Sequence, residues 1–350
     1  PPPPLFSSRR RHTRYSLQSR GLGDVYKRQW SLDAEGAIEL ATACEDAARQ
    51  VDARIENSEG GSVSSYTGMR VKANTHGFLA GYRSSYHSIS CAVIGKQGDE
   101  MQRDYWSTSA RDAADLQSPA DTGRIAGERT VRRLGTQRLS TRQAPVVYAA
   151  EIASSLFGHF ISAISGGSLY RKSSFLLDHL GKPVFPDYLR IHEQPLLQKA
   201  LGSAPYDAEG VATSARDLVT DGILQSYVLS SYSACKLGME TTGNAGGVRN
   251  LTIETGDKDL EALLKSMDTG LLVTELIGFG VNNVTGDYSR GAAGFWVEGG
   301  EIQYPVDEIT VAGNLKDMFM KIVEVGNDVD LRGNTRTGSV LLEEMTIAGS

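Results

Sequence analysis

A single histidine in an amphipathic segment is the candidate residue for catalysis or metal binding from which the sequence analysis starts. The segment Glu151–Ala163 reads EIASSLFGHFISA, and the spacing of its apolar residues predicts a helix with His159 near the apolar rim. A helical zinc site needs a second ligand one turn away and a carboxylate as general base, but Ser154 and Ser155 stand there. The sequence therefore gives little support to a metal site on this helix.

Two other interpretations of His159 are open. Ser155 lies four residues before His159, so the two side chains could share a hydrogen bond on one helix face, as a nucleophile and its base do. Such a spacing is common by chance, and no strained turn presents the serine. The sequence favours a histidine at a packed rim that lines a groove.

Three polar, Gly-rich segments are candidates for binding. TTGNAGG at 241–247 has the glycines of a phosphate cradle, but it lacks the Lys–Ser/Thr of a P-loop and is interpreted as a flexible loop. The segment 327–339 is suited to a groove or an interface. The segment 285–294 is either a long hairpin loop or a cluster that binds a peptide or a subunit edge, formed by Asp287, Tyr288, Ser289 and Arg290.

The elements before residue 140 are predicted to be two helices and a meander of strands. A helix is predicted to begin after Ser31, a candidate N-cap, because apolar residues then recur every three or four positions. Alternating segments punctuated at Gly68, in the region from Asn74 to Gly77 and at Gly81 predict short strands. A second helix is predicted between Ser118, which a proline follows, and Gly135.

The chain becomes rich in strand patterns after a predicted linker at 140–145 and the helix that carries His159. Asp221–Gly222 predicts a turn between two strands, and Gly299–Gly300 is the strongest hairpin signal in the chain. One further helix is predicted within 257–270, where leucines recur on one face.

The predicted fold class is α+β, with a small mixed αβ domain at 30–140, truncated at its N-terminus, and a larger, mostly antiparallel β domain at 141–350. The 350 residues are 40% hydrophobic, which is enough for one large or two medium domains. No apolar run approaches the ~18 residues of a membrane helix. The three cysteines are far apart, which argues against a disulfide scaffold and favours a reducing cytoplasm.

The first 29 residues differ from the rest. They carry seven Lys/Arg and one Asp, a net charge of +6, whereas the remainder carries 29 Lys/Arg and 41 Asp/Glu, a net charge of −12. They are either a basic targeting or nucleic-acid arm or a translated sequencing-adapter read-through, which SSRRRHTR…VYKRQ resembles. The second interpretation is favoured, and a disordered or poorly packed prefix at 1–29 is expected. The acidic remainder argues against nucleic-acid binding, because phosphate contacts need clustered Lys and Arg.

Four segments of the chain are distinctive. They read LFGHFISAISGGSLYRKSSFLLDHLGKPV, PYDAEGVATSARDLVTDGILQSYVLSSYSACKLG, GDYSRGAAGFWVEGGEIQYPVDEITVAGNLKDM and VGNDVDLRGN. On these residues the chain, from about Trp30 to its end, resembles the PmbA, or TldE, subunits of the TldD/PmbA metalloprotease family. Members of that family begin with a further α/β region, so the resemblance implies that this region is missing here.

The resemblance implies a heterodimeric peptidase that acts on unfolded peptides. The TldD-like subunit would carry zinc on a helix of the form His-Glu-x-x-x-His, with a later cysteine ligand. When the last histidine of that motif is matched to His159, its first two residues fall on Ser154 and Ser155, and the cysteine falls among Thr335–Gly338, where there is none. The motif positions are therefore vestigial. No catalytic residue, metal ligand or cofactor is expected in this chain, and zinc is expected in the TldD-like partner.

Three functions are compatible with the resemblance. The favoured one is a non-catalytic subunit in which His159 and the cluster at 287–290 line a peptide groove or a partner interface. The second is a metallopeptidase active on its own, and the third is a regulatory binding protein that modulates DNA gyrase. The expected partners are a TldD-like catalytic subunit and unfolded peptides in the cytoplasm, with neither nucleic acid nor membrane.

Overall fold

The computed structural model describes residues 30–349, so the predictions for residues 1–29 lie outside the described part. Within residues 30–349, no helix is long and apolar enough to cross a membrane. A three-stranded sheet with two helices comes first, and a larger part built on two further sheets follows. The predicted α+β class, with a small mixed part before a larger and mostly antiparallel β part, is confirmed.

The first sheet is the predicted meander. Its strands are β1 (Ile55–Ala73), β2 (Leu79–Gln97) and β3 (Glu100–Ala110), and each is antiparallel to the next. Helices α1 (Ala34–Arg49) and α2 (Pro119–Arg132) pack against it. The apolar core of this part includes Cys44, Ala48, Ile55, Ile89, Cys91, Val93 and Ala126.

The first two strands are longer than predicted. Gly68 and Gly81 lie inside β1 and β2, which have 19 residues each, rather than at strand ends. The chain reverses at 74–77, where the Asn74 side chain accepts hydrogen bonds from two backbone N–H groups. An isolated glycine therefore did not mark a strand end here, because a paired strand can contain one at a modest cost.

Both helices of the first part begin at side-chain caps. The carboxylate of Asp33 accepts a backbone hydrogen bond at the start of α1, so Asp33 is the cap and the prediction of Ser31 was wrong by two residues. Ser118 caps α2 and Pro119 is its first residue, as predicted.

The larger part contains the remaining strands and helices. Residues 231–237, for which the sequence analysis predicted no helix, form a helix that a reciprocal pair of hydrogen bonds between Ser230 and Ser233 caps. The predicted linker at 140–145 is mostly strand, because pairing begins at Arg142.

In chain order the elements are β4 (Arg142–Tyr148), α3 (Ala150–Ala163), α4 (Gly166–Tyr170), β5 (Ile191–Glu193), β6 (Arg216–Thr220), β7 (Ile223–Leu224), α5 (Ser231–Leu237), β8 (Leu251–Ile253), α6 (Leu260–Met267), β9 (Gly270–Ile277), β10 (Asp287–Glu298), β11 (Glu301–Asn314), α7 (Leu315–Met320), β12 (Ile322–Val325), β13 (Thr335–Arg336) and β14 (Val340–Ala348).

The main sheet of the larger part closes on itself. Its strand order is β11-β10-β9-β4-β14-β12, and β11 also pairs with β14. Neighbouring strands are antiparallel except β4 and β9, which run parallel. The smaller sheet has the order β13-β8-β5-β6-β7. The pairing of β11 with β14 gives hydrogen-bond partners to strand edges that would otherwise be free. It makes the main sheet a barrel.

Two predicted turns are confirmed. Asp221 and Gly222 join β6 to β7 with φ of 51° and 70°, and Gly299 and Gly300 join β10 to β11 with φ of 61° and 75°. Both residues of each turn adopt the positive φ that tight two-residue hairpins of this kind require.

The core of the larger part surrounds one face of α3. The ring centroid of Phe160 lies 5.0 Å from that of Phe185 and 6.1 Å from that of Phe319. Ala153, Leu156 and Phe157 are buried on the same face of the helix. This packing determines which side chains of α3 point outward.

Ion pairs join the two parts of the chain. Arg129 of α2 lies 2.6 Å from Glu151 of α3, and Arg133 lies 2.5 Å from Glu275 of β9. Asp104 of β3 lies 3.4 Å from Arg129. The small part is thus held against α3 and β9 by charged side chains. The predicted domain division near residue 140 stays a prediction.

Candidate functional site

Helix α3 begins at a side chain that a distant segment supplies. Its N-cap residue, Ala149, makes no side-chain bond. Instead the Ala150 N–H donates to Ser339 Oγ at 3.0 Å, and Ser339 Oγ donates to Asp328 Oδ2 at 2.6 Å. Ser339 is fully buried. The segment 327–339, predicted to suit a groove or an interface, therefore contains residues that hold the start of α3.

The outward face of α3 is short and polar. Ser154 and Ser155 are half-buried, whereas Gly158 and Ser162 are exposed. A Cβ atom on Gly158 would meet no atom within 4 Å. The helix therefore presents an open and shallow surface around Gly158.

His159 lies half-buried at the rim of this surface. Its ring meets that of Tyr288 on β10 edge-on, with the centroids 5.9 Å apart. The Nε2 atom of His159 and the Oγ atom of Ser155 are both buried, and neither has a hydrogen-bond partner. The interpretation of Ser155 and His159 as a bonded nucleophile and base is therefore wrong, and His159 stands at a packed rim.

The surroundings of His159 keep its ring neutral. Burial lowers the pKa of His159 below its ordinary value, and the positive charge of Arg290 lowers it further. Burial also raises the pKa of the neighbouring Tyr288 hydroxyl, while Arg290 acts in the opposite direction. The ring contact of His159 with Tyr288, and the effect of Arg290 on the pKa of both groups, place the three residues together where α3 meets β10.

The four residues predicted as a cluster lie on opposite faces of β10. The segment 285–294 is strand from Asp287 onward, so it is not a long hairpin loop. Asp287 and Ser289 are exposed, whereas Tyr288 is 1% exposed and Arg290 is half-buried. Because side chains alternate along a strand, the structure brings Tyr288 and Arg290 to α3 and leaves Asp287 and Ser289 on the other face.

The residues on α3 do not fit a zinc ion. Hydroxyl groups at Ser154 and Ser155 stand in place of an imidazole and a carboxylate, and one imidazole alone cannot complete a zinc site. In residues 30–349, no group of three or more His, Cys, Asp and Glu side chains could hold a metal ion. Arg290 adds a positive charge that repels a divalent cation. At Gly338, among the positions matched to the cysteine ligand, a Cβ atom would lie 1.8 Å from the Gly326 carbonyl oxygen.

The surface near Arg290 combines an open strand edge with exposed apolar side chains. β4 pairs with β9 only as far as Val273, and beyond it β10 is the only described strand that pairs with β9. The loop from β9 to β10 carries Phe279, which is 99% exposed, and Ile277 and Val284 are more than half exposed. Sequence reasoning missed this loop, whose signal was an aromatic residue between two glycines, GFG.

The loop at 241–247, predicted to be flexible, is held by two carboxylates. Asn244 Nδ2 donates to Glu193 at 2.9 Å, and the Ala245 N–H donates to Asp207 at 2.9 Å. Glu193 and Asp207 are almost fully buried. These bonds order the loop and leave fewer of its donors for a phosphate. No local sequence pattern linked Glu193 or Asp207 to this loop.

Comparison with known proteins gives two domain profiles of one family. Residues 27–134 match the profile of the PmbA/TldA metallopeptidase central domain. Residues 141–349 match the profile of the PmbA/TldA metallopeptidase C-terminal domain. Both described parts of the chain are thus covered.

Relatives and solved structures agree with the profiles. Metalloprotease PmbA of Escherichia coli is 56% identical over 318 residues, which are 91% of this chain and 71% of that protein. A Bacteroides thetaiotaomicron structure, named as a candidate modulator of DNA gyrase, has a TM-score of 0.89 and 32% identity over 95% of this chain and 76% of its own. TldE from Thermococcus kodakarensis, at 22% identity over 91% of this chain and 75% of its own, shares the fold with a TM-score of 0.79. The chain belongs to the PmbA/TldD metallopeptidase family.

Proposed function

We propose that this chain is the non-catalytic, TldE-like component of a zinc-peptidase complex, and that the zinc ion and general base lie on a TldD-like subunit. The observation that carries the proposal is the donor set on α3. Ser154 and Ser155 accompany His159 there, and the positive charge of Arg290 lies beside them. A zinc peptidase needs about three protein ligands and a carboxylate that activates water, and these residues offer one imidazole.

In this proposal the chain binds the peptide and leaves the bond-breaking step to its partner. The edge of β9 beyond Val273 offers backbone groups to an extended peptide, which can add to the sheet as a strand. The open surface at Gly158 leaves room for peptide side chains, and Phe279 offers an apolar contact. An unfolded peptide suits this edge because its backbone groups are free to pair.

We propose that the complex assembles in the cytoplasm with a TldD-like subunit. The three cysteines are free thiols, with Cys44 and Cys91 buried and Cys235 exposed. Free thiols are the usual state of cysteine in a reducing compartment. Exposed apolar side chains beside the candidate site, Phe279 and Ile277, suit a contact with a second protein or a peptide.

Two other functions have weaker support. The name of the Escherichia coli relative, Metalloprotease PmbA, suggests a peptidase active on its own, but that activity requires ligands that α3 lacks. The description of the Bacteroides structure suggests a modulator of DNA gyrase. The net charge of −12 after residue 29 gives no support to direct contact with DNA, so that function would depend on binding the gyrase protein.

The proposal is tested with the purified chain, alone and mixed with a TldD-like subunit. We expect the chain alone to hold no stoichiometric zinc by elemental analysis and to leave an unfolded fluorogenic peptide intact. We expect the pair to elute together from a size-exclusion column and to hydrolyse the peptide faster than the TldD-like subunit alone.

Two outcomes would replace this proposal. Tightly bound zinc in the chain alone, with hydrolysis that a chelator stops, would favour the independent metallopeptidase. Full-rate hydrolysis by the TldD-like subunit alone, with no complex at micromolar concentration, would favour the regulatory binding protein.

A further inference from the structure

Unpaired polar atoms are concentrated where α3 meets β10. Five buried side-chain nitrogen or oxygen atoms in residues 30–349 have no hydrogen-bond partner, and three of them are Ser155 Oγ, His159 Nε2 and Arg290 Nε. The other two belong to Arg129 and Arg216, and each of those guanidinium groups holds a carboxylate through another nitrogen. The contact between α3 and β10 is thus the place where the described chain leaves polar groups unmatched.

Arg290 differs from these other arginines because its charge has no counter-charge. Its side chain makes no ion pair or hydrogen bond with any residue from 30 to 349. The one carboxylate on α3 and the one on β9 are already occupied, Glu151 by Arg129 and Glu275 by Arg133. A half-buried guanidinium without an anion is unfavourable, and a ligand that supplies the anion removes this penalty.

The guanidinium of Arg290 is within reach of a ligand. Its Nε atom is buried, but its terminal nitrogens are not among the buried unpaired atoms, so they meet the solvent. The imidazole of His159 lies on the same side of β10, because it packs against Tyr288, which precedes Arg290 by two residues on one face of the strand. A neutral imidazole and a serine hydroxyl can each donate a hydrogen bond to an anion beside the guanidinium.

We propose that Arg290, together with Ser155 and His159, forms a binding site for a carboxylate of the peptide ligand. A guanidinium can bind a carboxylate through two parallel N–H bonds, which are stronger than bonds between neutral groups. This inference rests on the proposed peptide-binding function, and it adds that the peptide must carry a carboxylate at this position. The exposed Phe279 and the open edge of β9 nearby favour a peptide over a free anion.

Fluorescence anisotropy with the full chain tests the site. The probes are three labelled unfolded peptides of one sequence: one with an aspartate and a free C-terminus, one with an amidated C-terminus, and one with asparagine in place of the aspartate. We expect one neutralised peptide to bind at least about tenfold more weakly than the first, and its identity shows which carboxylate is bound. Equal affinity for all three overturns the carboxylate site and leaves peptide binding intact. No binding at millimolar concentration overturns both proposals.

Substitutions of Arg290 test whether its guanidinium group causes the difference in affinity among the three peptides. Arg290→Met removes the charge and keeps much of the side-chain volume, and we expect it to weaken binding of the first peptide at least about tenfold and to equalise all three. Arg290→Lys keeps the charge without the planar fork, and we expect an intermediate loss. The control is Arg142→Met on β4, where the guanidinium lies 4.7 Å from the Trp296 ring centroid, and we expect it to bind the peptides like the wild type.

The melting temperature distinguishes a binding residue from a structural one. Because Arg290 loses no described partner, we expect the Arg290→Met chain to melt no lower than the wild type. A chain that melts several degrees lower and binds all three peptides like the wild type overturns the proposal. If Arg290→Met instead keeps its peptide affinities and loses co-elution with a TldD-like subunit, the carboxylate belongs to that subunit, and the assignment to a peptide is overturned.

Discussion

The imidazole of His159 and the phenol ring of Tyr288 meet edge to face, 5.9 Å between centroids, and this contact joins the outward rim of α3 to barrel strand β10. Tyr288 is 1% exposed, and the Tyr148 hydroxyl donates a hydrogen bond to the Tyr288 hydroxyl at 3.3 Å. One side of Tyr288 therefore belongs to the candidate site and the other to the barrel core. Substitutions at this rim are therefore expected to change the stability of the fold.

Replacing Tyr288 measures its structural role. Tyr288→Phe removes the acceptor for Tyr148, and we expect the free energy of unfolding to fall by about 0.5–1.5 kcal/mol. Tyr288→Ala also leaves a cavity, and we expect a fall of about 3–5 kcal/mol, as for other large buried aromatic residues. Urea unfolding followed by circular dichroism measures both. Tyr66→Phe is the control, because Tyr66 is 61% exposed, and a Tyr288→Ala chain as stable as this control would contradict the burial.

Two helical glycines are expected to respond to alanine in opposite directions. Gly158→Ala on α3 adds a methyl group to open space, and we expect a gain of about 0.5–1 kcal/mol because glycine weakens a helix by that amount. Gly123→Ala on α2 places Cβ 1.9 Å from the Cys44 carbonyl oxygen, so α1 and α2 must separate, at a cost of about 1–3 kcal/mol. Thermal unfolding of both variants beside the wild type measures the difference. A gain in both would show that the close contact between α1 and α2 is wrong.

Local signals in the sequence predicted several elements correctly. Ser118 and the proline after it mark the start of α2, because a cap and a preset φ act within one turn. Gly299–Gly300 marks a hairpin for the same reason, since both positions need a positive φ. The vestigial character of α3 stays a prediction, which rests on comparing Ser154 and Ser155 with the zinc motif one residue at a time.

Features that depend on distant residues could not be predicted. β4 begins at Arg142 because it pairs with β14 at the end of the chain, and nothing in residues 140–145 indicates that partner. The glycines of 285–294 suggested a loop, but Gly294 lies at a strand irregularity where a Cβ atom would be 1.9 Å from the Leu272 carbonyl oxygen. The unmatched charge of Arg290 could not be predicted for the same reason, because the distant residues Arg129 and Arg133 bind the carboxylates of α3 and β9.

Two histidines are expected to make the fold sensitive to mild acid. Burial lowers the pKa of His159 and of His192, and the charges of Arg290 and Arg190 lower them further. The folded pKa values thus lie below the ordinary value of about 6.5, so the unfolded chain takes up protons first. The free energy of unfolding should therefore fall as the pH drops below about 6.5. Urea midpoints at neutral and mildly acidic pH measure this change. The free energy of unfolding of the double variant His159→Gln, His192→Gln should fall less than that of the wild type over the same pH range. An equal fall would assign the acid sensitivity to other groups.

Rebuilding the zinc helix tests why α3 does not fit a metal. Ser154→His with Ser155→Glu restores the two motif residues that precede His159, but the charge of Arg290 remains, and residues 335–338 contain no cysteine. We expect this double variant to bind zinc weakly and to hydrolyse no peptide, because a zinc site with two imidazoles lacks its third protein ligand.

Adding Arg290→Met to that double variant isolates the electrostatic part of the argument. Removing a positive charge close to a divalent ion should tighten zinc binding by about tenfold or more, since charges a few ångströms apart interact by about 1–4 kcal/mol between aqueous and surface dielectric limits. Competition with a chromogenic chelator measures the affinity. Arg290→Met alone is the matched control, and it should bind no zinc because Ser154 and Ser155 are unchanged. If the double and triple variants bind zinc equally, the charge of Arg290 does not reach the outward face of α3, and its grouping with Ser155 and His159 loses its support.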